Sequence, residues 1–287
     1  FKDIVATDRL KNIVDQILKS ILSQEPLVVN LASMRTGDGY LHQHALDVTI
    51  TATMIASRLK YPVSDIQELA LGSFLMDLGM IIVPQDAWNG IGTPSAKIRL
   101  LMKEHPAVGF TILRANGGVP INAAHVAYQH HERLDGGGYP RNLKSPDDFP
   151  HKTISNESGH IHRYAQVVAV ADQYISAISP RPGTVEPMTP LEAMRMLISD
   201  AGVRLNSHVV NALITLIPVF PLGTRVLVAK SPSPRLVGHM GVVTKCNPAD
   251  KERPQVLLLF DKFKRRIKPI LIDLAEENGF ALQFAAL

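Results

Sequence analysis

Residues 130–140 read His-His-Glu-Arg-Leu-Asp-Gly-Gly-Gly-Tyr-Pro. The three glycines at 136–138 allow backbone conformations that are closed to other residues, and Pro140 fixes the backbone where the stretch ends. A flexible surface turn would need the glycines, but it would need neither the preceding histidine pair nor the closing Tyr-Pro. We therefore interpret this stretch as the end of a helix, which runs to about Glu132, followed by a structured loop from Leu134.

The adjacent histidines at the start of this loop are candidate metal ligands. Neighbouring helical residues point about 100° apart, so His130 and His131 can reach one ion only where a helix ends beside a loop. Taken alone, such a pair is more often two surface histidines. Other imidazoles and carboxylates that helices could bring to the same point strengthen the metal hypothesis. They are His44, Asp77, His105 and Asp172.

This mixture of donors has a definite chemical preference. Imidazole together with carboxylate suits first-row ions such as iron, manganese or zinc. A bridging carboxylate between two ions is the usual device of a two-metal hydrolytic centre. The sequence therefore predicts one or two divalent transition-metal ions, with iron or manganese foremost and zinc as a further possibility.

Four motifs, in this order and spacing, resemble the HD-GYP family. An early helix with a histidine after a tyrosine matches residues 40–44, and the HPxxG motif matches residues 105–109. The long HHExxDGxGYP signature matches residues 130–140, and a later Val-Ala-Asp helix matches residues 170–172. The long signature is highly specific, whereas the other motifs are specific only in combination. The resemblance covers roughly residues 40–215.

The resemblance implies a fold, a metal centre and a ligand. It implies helices surrounding a site for cyclic di-GMP or a related dinucleotide. One ion would be held by Asp77, His105, His130 and His131, and a second by His44, Asp172 and a bridging Asp77. Asp77 would also be the catalytic residue. The residues bordering the nucleotide would be Gly136, Gly138, Tyr139 and Arg181.

This chain departs from the family pattern around Asp77. The histidine of the His-Asp dyad is replaced by Met76, whose soft thioether is a poor ligand for a harder ion. The motif lysine is replaced by Met80, which removes a positive charge expected near the substrate phosphate. Some members carry a glutamate for a third ion where this chain has Tyr40, so no third ion is expected. His42 lies two residues from His44 on another helix face, so we interpret it as a surface histidine rather than as a substitute ligand.

Three hypotheses about function follow from these matches and departures. The first is a metal-dependent phosphodiesterase that hydrolyses cyclic di-GMP to linear pGpG or GMP. The second is a catalytically inactive module that senses cyclic di-GMP or presents a surface to a signalling protein. The third is a related phosphohydrolase with another nucleotide substrate.

Composition narrows the setting of the protein. The chain is 46% hydrophobic and 20% charged, which excludes a disordered or fibrous protein. The lone Cys246 fits a cytoplasmic location, and we find neither a signal-peptide pattern nor an apolar run long enough to span a membrane. The basic run at residues 262–268 is expected to be a solvated strand face rather than a DNA-binding surface, because few aromatic residues accompany it.

The fold class predicted from periodicity is mainly α, an HD-type helical bundle with a small C-terminal β-rich appendage. We expect a helical segment at residues 1–39, a metal-binding helical domain at 40–220 and the appendage at 221–287. One helix is expected to end at Glu104 and a new one to begin at His105-Pro106. Three strands are predicted, at residues 224–230, 241–245 and 255–260.

Overall fold

A computed structural model describes residues 40–84, 95–115, 118–149, 159–180, 186–247 and 249–285. The helical segment predicted at residues 1–39 lies outside the described residues, as does Arg181.

Helices dominate the described chain up to residue 216. Seven α-helices lie there: α1 (Tyr40–Arg58), α2 (Val63–Phe74), α3 (Ala96–Ala115), α4 (Ile121–Gln129), α5 (Arg163–Ile178), α6 (Pro190–Asp200) and α7 (Ser207–Leu216). A 3-10 helix, Leu78–Ile82, follows α2. The expected sequence of helices followed by a smaller β-rich region is therefore present. The described structure as a whole is mixed rather than a pure helical bundle.

The two helices predicted on either side of His105 are wrong, because α3 runs unbroken from Ala96 to Ala115 with Pro106 inside it. A proline within a helix removes one backbone N–H, which leaves the carbonyl four residues earlier without its usual donor. That carbonyl belongs to Met102, and the Nδ1 atom of His105 lies 2.6 Å from it. The imidazole N–H thus replaces the missing backbone donor, and the helix continues.

Helix α4 lies at the centre of the helical part and packs against α2, α3 and α5. Its small buried residues allow these close approaches, and burial of the surrounding leucines supplies the main stabilisation. The side chains of this core cluster are Leu71, Leu75, Leu113, Val119, Ala123, Ala124 and Ala127. This arrangement brings the C-terminal end of α4, where the signature loop starts, between the other helices.

The C-terminal part is a five-stranded antiparallel sheet. Its strands are β1 (Arg225–Lys230), β2 (Met240–Lys245), β3 (Gln255–Phe260), β4 (Arg266–Asp273) and β5 (Ala281–Phe284), in the order β4-β3-β2-β1-β5. The three predicted strands are present to within one residue at each end. Strands β4 and β5 were not predicted. Alternate residues of β1, β2 and β3 are buried and form one core with residues of β4 and the following turn.

The described chain divides into two compact units. One contains the residues up to Met188 together with residues 192–213, and the other contains residues 189–191 and those from Ile214 onward. The domain limits inferred from the sequence, after residues 39 and 220, remain predictions.

His162 anchors the start of α5, the helix that carries Asp172. Its ring nitrogen Nδ1 accepts a hydrogen bond from the Tyr164 backbone N–H, and its own backbone N–H donates to the Gln129 side chain at 2.6 Å. Burial, with the nearby His125 and Arg163, lowers the pKa of His162 to about 4. Protonation would also remove the acceptor that caps the helix, so the neutral form is the one that the fold requires.

We expect this histidine to make the protein less stable in acid. Because the folded-state pKa lies below the unfolded value, stability is complete above about pH 6.5 and is lost as the pH falls toward 4. The loss reaches about 3 kcal/mol in the free energy of unfolding. Chemical denaturation across this pH range measures it. His162→Asn keeps a capping side chain and should flatten the profile, whereas the same change at the exposed His42 should not. An unchanged profile in His162→Asn would contradict the assignment.

Candidate metal centre

Asp77 is positioned by an unusually close approach of two backbones. It lies in the turn after α2 and immediately precedes the 3-10 helix Leu78–Ile82. That short helix packs against α3 at Gly79, where a Cβ atom would overlap the His105 carbonyl oxygen and lie 2.5 Å from the Gly109 amide nitrogen. The glycine therefore lets the segment bearing Asp77 lie directly on the helix bearing His105, and the carboxylate oxygen Oδ1 lies 3.3 Å from His105 Nε2.

The orientation of the His105 ring is fixed by its contact with Met102. A carbonyl oxygen can only accept, so the Nδ1 atom of His105 must carry the proton in this contact. The lone pair of Nε2 is consequently free to point toward Asp77. A hydrogen bond from the second ring nitrogen to a backbone carbonyl is the usual way in which proteins orient a metal-binding histidine.

His130 is oriented in the same way at the end of α4. The Nδ1 atom of this buried side chain lies 3.2 Å from the Val126 carbonyl and 3.1 Å from that of Ala127. Its Nε2 atom lies 3.3 Å from Nε2 of His105. The Nδ1 protons of His105 and His130 both point to backbone carbonyls. The Nε2 lone pairs of the two rings therefore face each other and the Asp77 carboxylate, and this arrangement favours a cation between them.

His131 completes a set of four donors. Donor atoms of Asp77, His105, His130 and His131 all lie within 4.8 Å of one another. The histidine pair lies at the end of a helix as expected, although α4 ends at Gln129 rather than near Glu132, so both histidines follow the helix. Three imidazoles and one carboxylate form a donor set that suits a divalent transition-metal ion.

The protonation states agree with a cation-binding role. Burial alone would raise the pKa of Asp77, but its contacts with the imidazoles of His105 and His130 hold this pKa well below its usual range. Burial and the neighbouring His130 lower the pKa of His131 to about 3. Although burial opposes it, Asp77 raises the pKa of His130 above its usual value. An ionised carboxylate and a neutral His131 are the forms that ligate metals, and the raised pKa at His130 reflects the same demand for positive charge.

His44 and Asp172, predicted for a second ion, are placed differently. His44 Nε2 lies 2.8 Å from Asp172 Oδ1, so the two side chains are in direct hydrogen-bond contact. Hydrogen bonding to His44 outweighs burial and lowers the pKa of Asp172. The nearest link to the four-donor set is the 3.9 Å distance between Asp172 Oδ2 and His131 Nδ1. Among the described residues, neither side chain belongs to a converging donor set.

The two methionines at the altered family positions are part of the packed interior. Met76 is 0% exposed and Met80 is 8% exposed. Their apolar side chains take the places in the motif where the family has an imidazole and a lysine. Among the described residues, one converging set of four donors is placed so that it could hold a metal ion.

The signature loop is held by Glu132, whose buried carboxylate accepts the backbone N–H groups of Arg141 at 2.7 Å and Leu143 at 2.8 Å. Gly138 packs so tightly that a Cβ there would lie 2.5 Å from the Glu132 Cα. Gly136 has a φ of 80°, which favours glycine. Both glycines therefore have a structural reason to be present, and contact with a nucleotide remains a prediction for each.

Tyr139 is brought to the metal ligands by this loop. Its ring stacks on that of His131 with 4.7 Å between the centroids, and its backbone N–H donates to the His131 carbonyl at 3.2 Å. Burial, together with the carboxylates of Asp172 and Asp77, raises the pKa of its phenol. The phenol is therefore neutral and can donate a hydrogen bond beside the four-donor set.

Comparison with known proteins agrees with this architecture. The sequence model of the family described as "HD domain" matches residues 16–209. The chain belongs to the HD domain family. Within it, the predicted resemblance to HD-GYP proteins is confirmed, and it extends to the HDG"Y"P protein Bd1817 from Bdellovibrio bacteriovorus. That structure has a TM-score of 0.58 and 20% identity over 72% of this chain and 61% of its own, so the likeness concerns the fold.

Curated relatives carry enzymatic names. The cyclic di-GMP phosphodiesterase PA4108 of Pseudomonas aeruginosa is 26% identical over 271 residues, which cover 94% of this chain and 60% of that protein. The cyclic di-GMP phosphodiesterase of Thermotoga maritima is 31% identical over 61% of this chain and 44% of its own length. This chain therefore spans about half the length of the curated relatives it matches. Among the described residues, no helix is both long and apolar enough to cross a membrane.

Proposed function

We propose that this chain is an HD-GYP-type, metal-dependent phosphodiesterase-like protein whose ligand is cyclic di-GMP. The observation that carries the proposal is the convergence of Asp77, His105, His130 and His131 beside the signature loop. The names of the two relatives described above support cyclic di-GMP as the ligand. We further propose that these four residues hold a single divalent ion, with iron or manganese foremost and zinc also compatible with the donor set.

Some residues of the site would bind the metal ion or the nucleotide, and others would orient the metal ligands. A divalent ion bound by the four donors would act as a Lewis acid on a phosphodiester group. Pro106 and the Met102 carbonyl keep the His105 ring in its ligating orientation. Tyr139 would donate a hydrogen bond to the nucleotide from its place against His131. Asp77, as the anionic ligand, would set the charge of the centre.

A second candidate function, a module that binds cyclic di-GMP without hydrolysing it, is favoured by one specific observation. The fully buried Met76 stands where the family has the histidine of the His-Asp dyad, so a second ion would lack that ligand. In this case one ion would maintain the binding site, and hydrolysis would be lost together with the second ion and the motif lysine. The two candidates share the metal centre and the ligand, and they differ in turnover.

The test combines metal content, binding and turnover in the whole chain. We expect one equivalent of metal by mass spectrometry and binding of cyclic di-GMP by calorimetry. Formation of pGpG would assign the phosphodiesterase, and binding without pGpG would assign the non-hydrolysing module. Protein that holds no metal after reconstitution with iron(II) or manganese(II) and does not bind cyclic di-GMP would overturn both.

Restoring the family motif sharpens this test. The double change Met76→His with Met80→Lys supplies the absent imidazole and the absent cation, so metal content should rise toward two equivalents. Hydrolysis should increase by about 100-fold, the effect that one charge-stabilising group has in a hydrolytic site. Met194→His, which changes another buried methionine, is the matched control and should leave both unchanged. Metal content that stays at one equivalent in the double variant would contradict the role assigned to position 76.

A further inference from the structure

The positive charge of this chain is concentrated in eight residues. Residues 261–268 contain five of the 30 lysines and arginines and one of the 26 acidic residues. The remaining 25 basic and 25 acidic residues balance, so the whole formal charge of +4 resides in this segment. The segment, called the basic turn below, links β3 to β4 and continues into the start of β4. Such a localised excess of positive charge creates a positive potential at one part of the sheet, which attracts anions.

The basic turn is an ordered structure organised by Asp261. One oxygen of its carboxylate accepts the backbone N–H groups of Phe263 and Arg265, each at 2.9 Å. The other oxygen lies 2.9 Å from the Arg265 guanidinium. Lys264 adopts a φ of 61°, which closes the turn. The single acidic side chain is therefore engaged in holding the backbone and Arg265, and does not offset the other cations.

Phe263 stands at the tip of the basic turn and is 65% exposed. The Lys262 ammonium lies 5.1 Å from the centre of its ring, and the Arg265 guanidinium lies 5.0 Å from it. The exposed aromatic ring therefore lies beside two cations. Within the described part of the chain, Arg265 is the one of these two cations that has an ion-pair partner, which is Asp261.

This combination matches the chemistry of an anionic membrane surface. Aromatic rings favour the level of the lipid headgroups, and lysine or arginine side chains next to them contact the phosphates. Each cation near such a surface strengthens binding by about five-fold. Single-stranded nucleic acid is matched less well, because its binding sites offer successive aromatic rings to successive bases, and the turn offers one ring at its tip.

We propose that the basic turn docks this protein on membranes rich in anionic lipids, with Phe263 entering the interface and cations of the same segment contacting headgroup phosphates. The four cations that contribute are Lys262, Lys264, Arg266 and Lys268. Docking of this kind is reversible and depends on salt, because its electrostatic part is screened over about 10 Å at moderate ionic strength. The docking does not depend on the metal centre or on its ligand.

The test is co-sedimentation of the whole chain with vesicles of phosphatidylcholine alone or with about one third phosphatidylglycerol. We expect binding to the anionic vesicles only, with loss at high salt. Arg266→Gln with Lys268→Gln should weaken it by about 25-fold. The same double change at the exposed Lys230 and Lys245 of this sheet has the same effect on net charge and should weaken it far less. Phe263→Ala should weaken binding several-fold, and Leu222→Ala, at another exposed apolar residue, should not.

Three results would overturn the proposal. They are equal binding to both kinds of vesicle, absence of binding to either, and equal losses in the test and control variants. Retention of a single-stranded oligonucleotide without vesicle binding would reassign the basic turn to nucleic acid. All variants should keep the metal content of the unmodified chain, which separates a docking defect from a folding defect.

Discussion

Replacing Asp77 with Asn should weaken metal binding by at least about 100-fold. The amide has nearly the shape of the carboxylate but no negative charge, and Asp77 is the anionic member of the four-donor set. Its ionised oxygen also faces the two histidine Nε2 atoms, at 3.3 Å from His105 and 3.7 Å from His130. Loss of groups that merely support a metal ligand already costs 10- to 100-fold in affinity, so loss of this ligand should cost at least about 100-fold.

Two measurements check this expectation. Calorimetric titration of metal-free protein with manganese(II) or iron(II) gives the affinity directly. Thermal or chemical unfolding gives it through stabilisation, because an ion present at about 100 times its dissociation constant stabilises the fold by about 2.7 kcal/mol. After a 100-fold loss of affinity the same concentration would contribute about 0.4 kcal/mol. His42→Gln, at an exposed histidine outside the donor set, is the control. Unchanged metal affinity in Asp77→Asn would remove Asp77 from the centre.

The sequence was sufficient to identify the side chains of the candidate centre, because metal binding depends on histidine and aspartate side chains, which can be recognised from residue type. A functional site is the one explanation that accounts together for the histidine pair, the glycine loop and the closing Tyr139-Pro140. Helix geometry requires that His130 and His131 lie at a helix end if they are to share an ion, and α4 ends at Gln129 rather than near Glu132. The weakening of a second metal site by Met76 stays a prediction.

What the sequence did not reveal are contacts made by the backbone. Pro106 was interpreted as the start of a helix, because a proline usually is one. In the structure the imidazole of His105 donates to the Met102 carbonyl in place of the missing backbone N–H. The same hydrogen bond allows the helix to continue and orients the ring toward the candidate metal site. The spacing of His105, Pro106 and Met102 was visible in the sequence. Knowing that α3 continues was the missing step, and packing of α3 against α4 decides that.

The strands missed in the C-terminal part have a similar explanation. Strand β4 forms one edge of the sheet and contains Pro269 and several exposed charges, so it shows no alternation of buried and exposed residues. Strand β5 has four residues and lies at the other edge. Edge strands bury one side poorly and tolerate proline. Periodicity therefore detects the three central strands and fails at the two edges.

Gly79→Ala should cause the second large loss, this time of both stability and metal affinity. The added methyl group would overlap the His105 carbonyl oxygen and crowd the Gly109 amide. Both are backbone atoms of α3, so no side-chain rotation relieves the overlap, and the short helix that follows Asp77 must move away from α3. Overpacking of this kind costs about 3 kcal/mol in the free energy of unfolding. Separation of Asp77 from His105 by even about 1 Å would also disrupt a preorganised site.

Comparison with two other glycines makes the Gly79→Ala result specific. At Gly109 the nearest atom to an added Cβ is the Gly79 amide nitrogen at 3.2 Å, so Gly109→Ala should have a smaller effect of the same kind. At Gly241, in β2, the added atom would lie 2.1 Å from the Leu257 carbonyl oxygen, in the sheet that contributes none of the four donors. Gly241→Ala should therefore lower stability while metal affinity is retained. Because all three changes add one methyl group, a metal affinity that falls in Gly79→Ala no further than in Gly241→Ala would show that the contact between Gly79 and α3 does not position Asp77.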